Sequence, residues 1–314
     1  MIGPLIVIAA AFVVVLWLLW RPRRPVRWLT IDVNGVQRRY FLCTSDPSAR
    51  HQPVLFCFHG GLARVDMLVR SSGIAEVGLR NGYAVIFPEA KDGWIDSRPE
   101  RGGSTRDLDF VDALLDALIA SELIDASRMF ALGISNGGMF LYRMAGERPM
   151  RFAGIATALA NLPIVEKSAG AGAPIPITMI FGRQDRIQPW EGGKLARSTK
   201  LGLGVGGEVV SAEATLRSWL KRNRAEGTTR RRRMVSAGRP IDIEDYPAAP
   251  DGAPTRYVTV GNWGHRWPCW GDNVSMTSDD FNAANLLIEF FSGLTLPDKK
   301  PAAFSAAAEG SVRA

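Results

Sequence analysis

Residues 128–138 read RMFALGISNGG. An almost wholly apolar run ends at Ile134, Ser135 stands between Gly133 and Gly137, and MFLYRMA continues with helical spacing. Gly-x-Ser-x-Gly between a strand and a helix marks a turn too tight for side chains at the flanking positions. The hydroxyl is then left exposed at the strand's C-terminal end, placed to act as a nucleophile. Short Gly-Ser patterns also occur in ordinary turns, so the rest of the chain has to decide.

Working outward, strand-like apolar runs occur at 53–58, 83–88, 128–134, 152–160, 175–182 and 255–262. Helical patterns lie between them near 64–80, 105–121, 136–146 and 209–224, with a last one near 278–293. In TRDLDFVDALLDALIAS, apolar residues repeat at three- and four-residue steps and acids occupy the first turns, as a helix dipole favours. Near-continuous apolar strands separated by amphipathic helices predict an α/β fold, a mostly parallel, doubly wound sheet covered on both faces. Ahead of it, alternation around Asn34-Gly35 predicts a β-hairpin. The Arg-, Pro- and Gly-rich stretch 226–253 reads as an excursion from the fold.

The N-terminus differs in kind. Residues 5–20, LIVIAAAFVVVLWLLW, contain no charged side chain, and with Met1–Pro4 they make a helix just long enough to span a hydrocarbon core of roughly 30 Å. Trp17 and Trp20 sit at its far end and RPRR follows. No basic residues precede the run and no small-residue cleavage site follows it, which favours an uncleaved single-pass anchor. The expected organisation is a transmembrane helix at 1–20, a basic linker at 21–28, a catalytic domain at 29–296 and a disordered tail at 297–314. Positive charge after the helix places the domain on the cytoplasmic side, with a periplasmic or extracellular location as the alternative.

The 314 residues carry a formal net charge of +7, but Arg21, Arg23, Arg24, Arg27 and the run Arg230–Arg233 supply eight positives, so the remainder is close to neutral. That distribution argues against nucleic acid as a partner, which would need a basic face rather than two local runs. Cys43, Cys57 and Cys269 are too few for a disulfide framework, and the three histidines show no metal-ligand spacing, so neither metal nor cofactor is expected.

In a doubly wound sheet, reactive groups collect on loops at the C-terminal ends of strands. PVLFCFHGG ends at His59-Gly60-Gly61, where a glycine N–H can approach a substrate carbonyl; Gly61 is the expected oxyanion donor beside the Asn136 N–H, with Leu62 as the alternative. MIFGRQD places Asp185 in a later loop, where it either orients an imidazole or caps the loop. VTVGNWGHRWP carries His265 beyond the last strand. His51 lies in a polar turn and His59 immediately after a buried strand, leaving His265 as the eligible base. Trp94, Trp190, Trp263 and Trp267 fall near the same edge, where they either bind substrate or pack the loops. WIDSRPERGG, 94–103, is a candidate flap.

The chain resembles the esterase family of polyhydroxybutyrate depolymerases, which is similar to feruloyl and acetylxylan esterases of the α/β-hydrolase fold. The resemblance rests on FHGG at 58–61, DFVDALLDAL at 109–118, SRMFALGISNGGMFLYRMA at 127–145, FGRQDRIQPWEGG at 181–193 and GNWGHRWP at 261–268. It implies a carboxylic ester hydrolase with Ser135, Asp185 and His265 as its triad, acting on a small ester or on a polyester or its oligomers. Phe181, Trp190 and Cys269 depart from the family's pattern without touching those three. Alternatives are a serine peptidase of the same superfamily, for which no spare propeller or cap sequence is present, and a non-catalytic, membrane-tethered protein of this fold.

Overall fold

The computed structural model describes residues 26–61, 65–165, 172–195, 206–225, 227, 229–270 and 281–296. The expected anchor at 1–20, the tail at 297–314 and Leu62 lie outside them. No helix among the described residues is long and apolar enough to cross a membrane.

The chain opens with β1 (Val26–Val33), which begins inside the expected 21–28 linker, and β2 (Val36–Cys43), paired antiparallel around Asn34-Gly35. Then come β3 (Gln52–Phe58), α1 (Val65–Ser71), α2 (Ile74–Arg80) and β4 (Ala84–Pro88). Next are α3 (Arg106–Ala120), β5 (Ile124–Ile134), α4 (Asn136–Glu147), β6 (Gly154–Ala158) and β7 (Ile177–Gly182). Two-residue strands β8 (Gly193–Lys194) and β9 (Glu208–Val209) pair with each other, and α5 (Ala212–Asn223) follows. The chain closes with β10 (Arg230–Ser236), β11 (Arg239–Tyr246), β12 (Thr255–Val260), the short pair β13 (Cys269–Trp270) and β14 (Phe281–Asn282), and α6 (Ala283–Phe291).

Ten strands form one sheet in the order β1-β2-β4-β3-β5-β6-β7-β12-β11-β10. The six from β4 to β12 are parallel, and two antiparallel strands flank them on each side. Period-2 alternation divides the strand side chains between two cores. Val54, Phe56 and Phe58 pack with α3, α4 and α5, whereas Leu55 and Cys57 pack with α2 and α6. Both faces are therefore covered, as the apolar strands predict.

Two helices are shorter than their patterns. The 64–80 pattern breaks at Gly73, whose φ of +65° starts a second helix, and the last helix begins only at Ala283, capped by the Asn282 side chain. The larger difference lies at 226–253, which is no excursion: β10 and β11 extend the sheet as an antiparallel hairpin. Ile241 and Ile243 face the core while Asp242 and Glu244 point outward. The arginines of 230–233, whose run reads as a solvated loop or a strand edge, lie on the edge strand β10 and are ion-paired across the strands and to a helix, Arg233 to Asp242, Arg231 to Glu244 and Arg232 to Glu289. A charged edge strand also resists pairing with another chain.

The tightest junction joins β5 to α4. Ser135 sits there at φ 55° and ψ −118°, a conformation costly for a residue with a side chain. The Ser135 N–H donates to Ala158 O at 2.8 Å, and Ser135 O accepts from the N–H groups of Gly138 and Met139, so strand and helix hold it from both sides. A carbon placed on Gly133 would lie 2.3 Å from Gly137 O, and one on Gly137 2.4 Å from Phe58 O. Both obstacles are backbone and cannot swing aside. Gly133→Ala should therefore lower the free energy of unfolding by at least about 3 kcal/mol, read as a fall in urea midpoint.

Candidate active site

Three loops at the C-terminal edge of the parallel strands bring the expected residues together. The Ser135 turn leaves β5, the Asp185 loop leaves β7 and the His265 loop leaves β12. Because β7 and β12 are neighbours, the acid and base loops start side by side, and backbone bonds tie them together: the Arg183 N–H donates to Val260 O and the Gln184 N–H to Trp263 O.

The result is a continuous relay. The Asp185 carboxylate, only 8% exposed, accepts from the Ile187 and Gln188 N–H groups through Oδ1 at 2.8 Å each. Its Oδ2 faces His265 Nδ1 at 2.7 Å, and His265 Nε2 faces Ser135 Oγ at 2.9 Å. With Nδ1–H donating to the carboxylate, Nε2 is left to accept the serine proton. Asn136 opens α4, so its N–H has no helical carbonyl before it. Gly61 lies alongside, close enough that a carbon on it would be 3.4 Å from Asn136 Cβ.

Residues 96–167, which include the Ser135 turn, match the prolyl oligopeptidase family. The chain is 30% identical over 268 residues to "Putative esterase NocK" of Nocardia uniformis subsp. tsuyamanensis, covering 78% of this chain and 76% of that one. The chain belongs to the esterases of the α/β-hydrolase superfamily. It is a carboxylic ester hydrolase of the serine type. It is also 25% identical over 231 residues to "Probable feruloyl esterase C" of Aspergillus niger, covering 71% of this chain and 79% of that one. An acetyl xylan esterase from Aspergillus awamori shares the fold, with a TM-score of 0.55 at 12% identity over 85% of this chain and 98% of that one.

The esterase departs from its sequence reading around 94–103, which is no loose flap. Asn136 clamps its start: Oδ1 accepts from the Trp94 N–H at 2.8 Å, while Nδ2 donates to Trp94 O at 3.0 Å and Asp96 Oδ2 at 2.7 Å. Buried Asp96 in turn holds buried Arg98, whose Nη1 donates to Gly206 O. Buried Arg143, from α4, donates to the carbonyls of Ile95, Gly103 and Ser104. Moving this segment would strand two buried guanidinium groups and a carboxylate, each costly without partners. The density of charge in WIDSRPER was the available signal for such a network.

The tryptophans mainly build the loops. Trp94 has no exposed surface; it stacks on Phe140 at 4.8 Å and meets Phe58 edge-on, so its ring cannot reach substrate. Trp263 is buried beneath the Arg266 and Arg239 guanidinium groups and donates to Arg266 O, and buried Trp267 donates to Asn282 Oδ1. Trp190 is half-buried, with Arg183 over its ring and Phe181 at its edge. An open cavity of about 560 Å³ lies beside the Arg98 end of the network, walled by Ile164, Val165, Lys194, Leu195 and Glu208.

His59 belongs to the scaffold. Its Nδ1–H donates to Gly60 O at 2.7 Å and Nε2 accepts from the Ala90 N–H at 2.9 Å, holding the glycine loop in place. Burial pushes its pKa below the ordinary 6.5, because the imidazolium would lose water and the Ala90 bond. As pH falls, the unfolded chain therefore takes up this proton before the folded one. The stabilisation is complete above about pH 6.5 and is lost as pH drops through that value, at up to about 1.4 kcal/mol per pH unit. His59→Gln should flatten this acid limb of stability between pH 7.5 and 5.5, measured as urea midpoints.

Proposed function

We propose that the esterase cleaves its substrates through an acyl-enzyme on Ser135, with His265 as base and Asp185 as the group that orients it. The observation that carries this reading is the unbroken Ser135–His265–Asp185 hydrogen-bond relay at a serine held at positive φ. Ser135 Oγ attacks the ester carbonyl carbon while its proton passes to His265 Nε2. The oxyanion forms against the N–H groups of Asn136 and Gly61, an interaction worth roughly 3 kcal/mol per donor. The tetrahedral intermediate then collapses, its C–O bond breaks, and the alcohol leaves with the proton from His265. Water attacks the acyl-enzyme, with His265 again taking and returning a proton, and the acid is released.

The substrates are small esters of the feruloyl or acetyl-sugar kind, or oligomers of a hydroxy acid such as 3-hydroxybutyrate. The names of the relatives support the first two, and the motif resemblance supports the third. Trp190 is the one tryptophan of the four that is not buried. The prolyl oligopeptidase match favours a second reading, peptide cleavage by the same relay, but it spans only the region around the Ser135 turn.

Ser135→Ala should abolish labelling by a fluorophosphonate probe and lower kcat on p-nitrophenyl butyrate by about 10⁴ or more. Asp185→Asn should cost about 10³–10⁴ in kcat with little change in KM. Labelling or turnover that survives Ser135→Ala would overturn the assignment, and a panel in which peptides outpace esters would favour the second reading.

We propose further that residues 1–20 anchor the esterase to a membrane, that the few residues before β1 link the anchor to the catalytic domain, and that this domain lies on the cytoplasmic side. The uninterrupted apolar run and the RPRR that follows support this. The full chain should sediment with membranes after carbonate extraction and resist protease added to intact cells. Release by carbonate would refute the anchor, and digestion would move the domain outside.

A further inference from the structure

The 94–101 segment carries a second arginine whose surroundings differ from those of Arg98. Arg98 is buried with Asp96 as its counterion. Arg101 is half-buried, and among the described residues its guanidinium makes one hydrogen bond, from Nη1 to Asp92 O at 2.9 Å. Its Nε is sheltered from solvent and has no partner. The neighbouring carboxylates are already engaged: Asp96 by Arg98 and Asn136, and Asp107 by Arg38 and the Ile95 N–H. Asp92 contributes its carbonyl. Burial pushes the Arg101 pKa down, since the cation loses water without gaining a bonded counterion, yet a guanidinium stays charged throughout the working range.

The position of Arg101 gives this charge its meaning. A carbon on Gly61 would lie 3.5 Å from Arg101 Nη2, and one on Gly93 would lie 3.1 Å from Nη2 and 2.9 Å from Asn136 Oδ1. The guanidinium therefore borders the two residues whose N–H groups face the scissile carbonyl in the mechanism above. A partly desolvated cation with unused N–H donors at that place is a receptor for an anion, and the planar fork suits a carboxylate.

We propose that Arg101 is a specificity-determining residue that selects esters bearing a carboxylate a few atoms from the scissile carbonyl, such as monoesters of dicarboxylic acids. This rests on Ser135 being the nucleophile, and it narrows the substrate class of that same site. The carboxylate docks on Arg101 Nη2, the end of the guanidinium that borders Gly61, holding the acyl chain while its carbonyl lies against Gly61 and Asn136. Arg101 takes no part in proton transfer; it acts by binding.

The test compares mono-p-nitrophenyl adipate with p-nitrophenyl hexanoate, esters of equal chain length that differ in a terminal carboxylate. The readout is the ratio of their kcat/KM values, with active enzyme counted by fluorophosphonate labelling. Wild type should favour the adipate, and the preference should shrink as salt is raised. Arg101→Gln should lower the ratio roughly tenfold or more, mainly through the adipate KM. Arg101→Lys, which keeps the charge but loses the fork, should give an intermediate ratio, and it carries the comparison if Arg101→Gln does not fold. A ratio unmoved in the variants, with both esters slowed equally or neither slowed, would overturn the proposal and leave Arg101 as a support for the Gly61 loop. Wild type that is neither labelled nor active on either ester would instead overturn the Ser135 mechanism, and this inference with it.

Discussion

A side-chain carbon at Gly137 would meet Phe58 O at 2.4 Å and His59 O at 2.6 Å, so the start of α4 is pressed directly against the end of β3. Much of the active centre depends on that contact. It lets β5 turn into a helix within two residues and holds Ser135 at a positive φ that strand and helix together enforce. It also puts Asn136 next to Gly61, residues that follow different strands. Because strand and helix over-determine the conformation, its strain of the order of 1–3 kcal/mol is borne by the fold and does not relax into an ordinary turn.

The acid and base are held differently. Neither Asp185 nor His265 sits in a strained turn; each is carried on a loop whose neighbour is fixed by the sheet. The parallel pairing of β7 with β12 makes the two loops adjacent, and two backbone bonds between them bring Asp185 within 2.7 Å of His265. The carboxylate then accepts two backbone N–H groups on Oδ1, which fixes its plane and leaves Oδ2 aimed at the imidazole. Charge enters the site buried and paired, through Asp96–Arg98 and Asp185, with Arg101 the exception that keeps unused donors.

Local patterning carried much of this. Apolar strands and amphipathic helices identified a doubly wound sheet because the period of hydrophobicity is a property of neighbouring residues. Ser135 was legible for the same reason, as Gly133 and Gly137 are the local requirement of the turn. Asp185 and His265 were legible by their order along the chain and by elimination among three histidines. The β10–β11 hairpin was legible only in part: the run of four arginines reads as a solvated loop or a strand edge, and the counterions that belong to the edge strand lie on another strand and on α6.

The same division explains the tryptophans and the 94–103 segment. Composition shows that aromatic and charged residues crowd the catalytic edge, but not whether they face solvent or one another. Only packing settled that Trp94 is enclosed between Phe58 and Phe140 and that Asp96, Arg98, Asn136 and Arg143 form one buried network. By itself, the sequence determined the layered α/β architecture and the tight turn at Ser135, since those follow from residue type and short-range spacing, and it singled out Asp185 and His265 only by their order along the chain. The tertiary structure decided which polar groups are partnered and which stay open, because a hydrogen bond between residues 40 or 130 positions apart leaves no periodic trace along the chain.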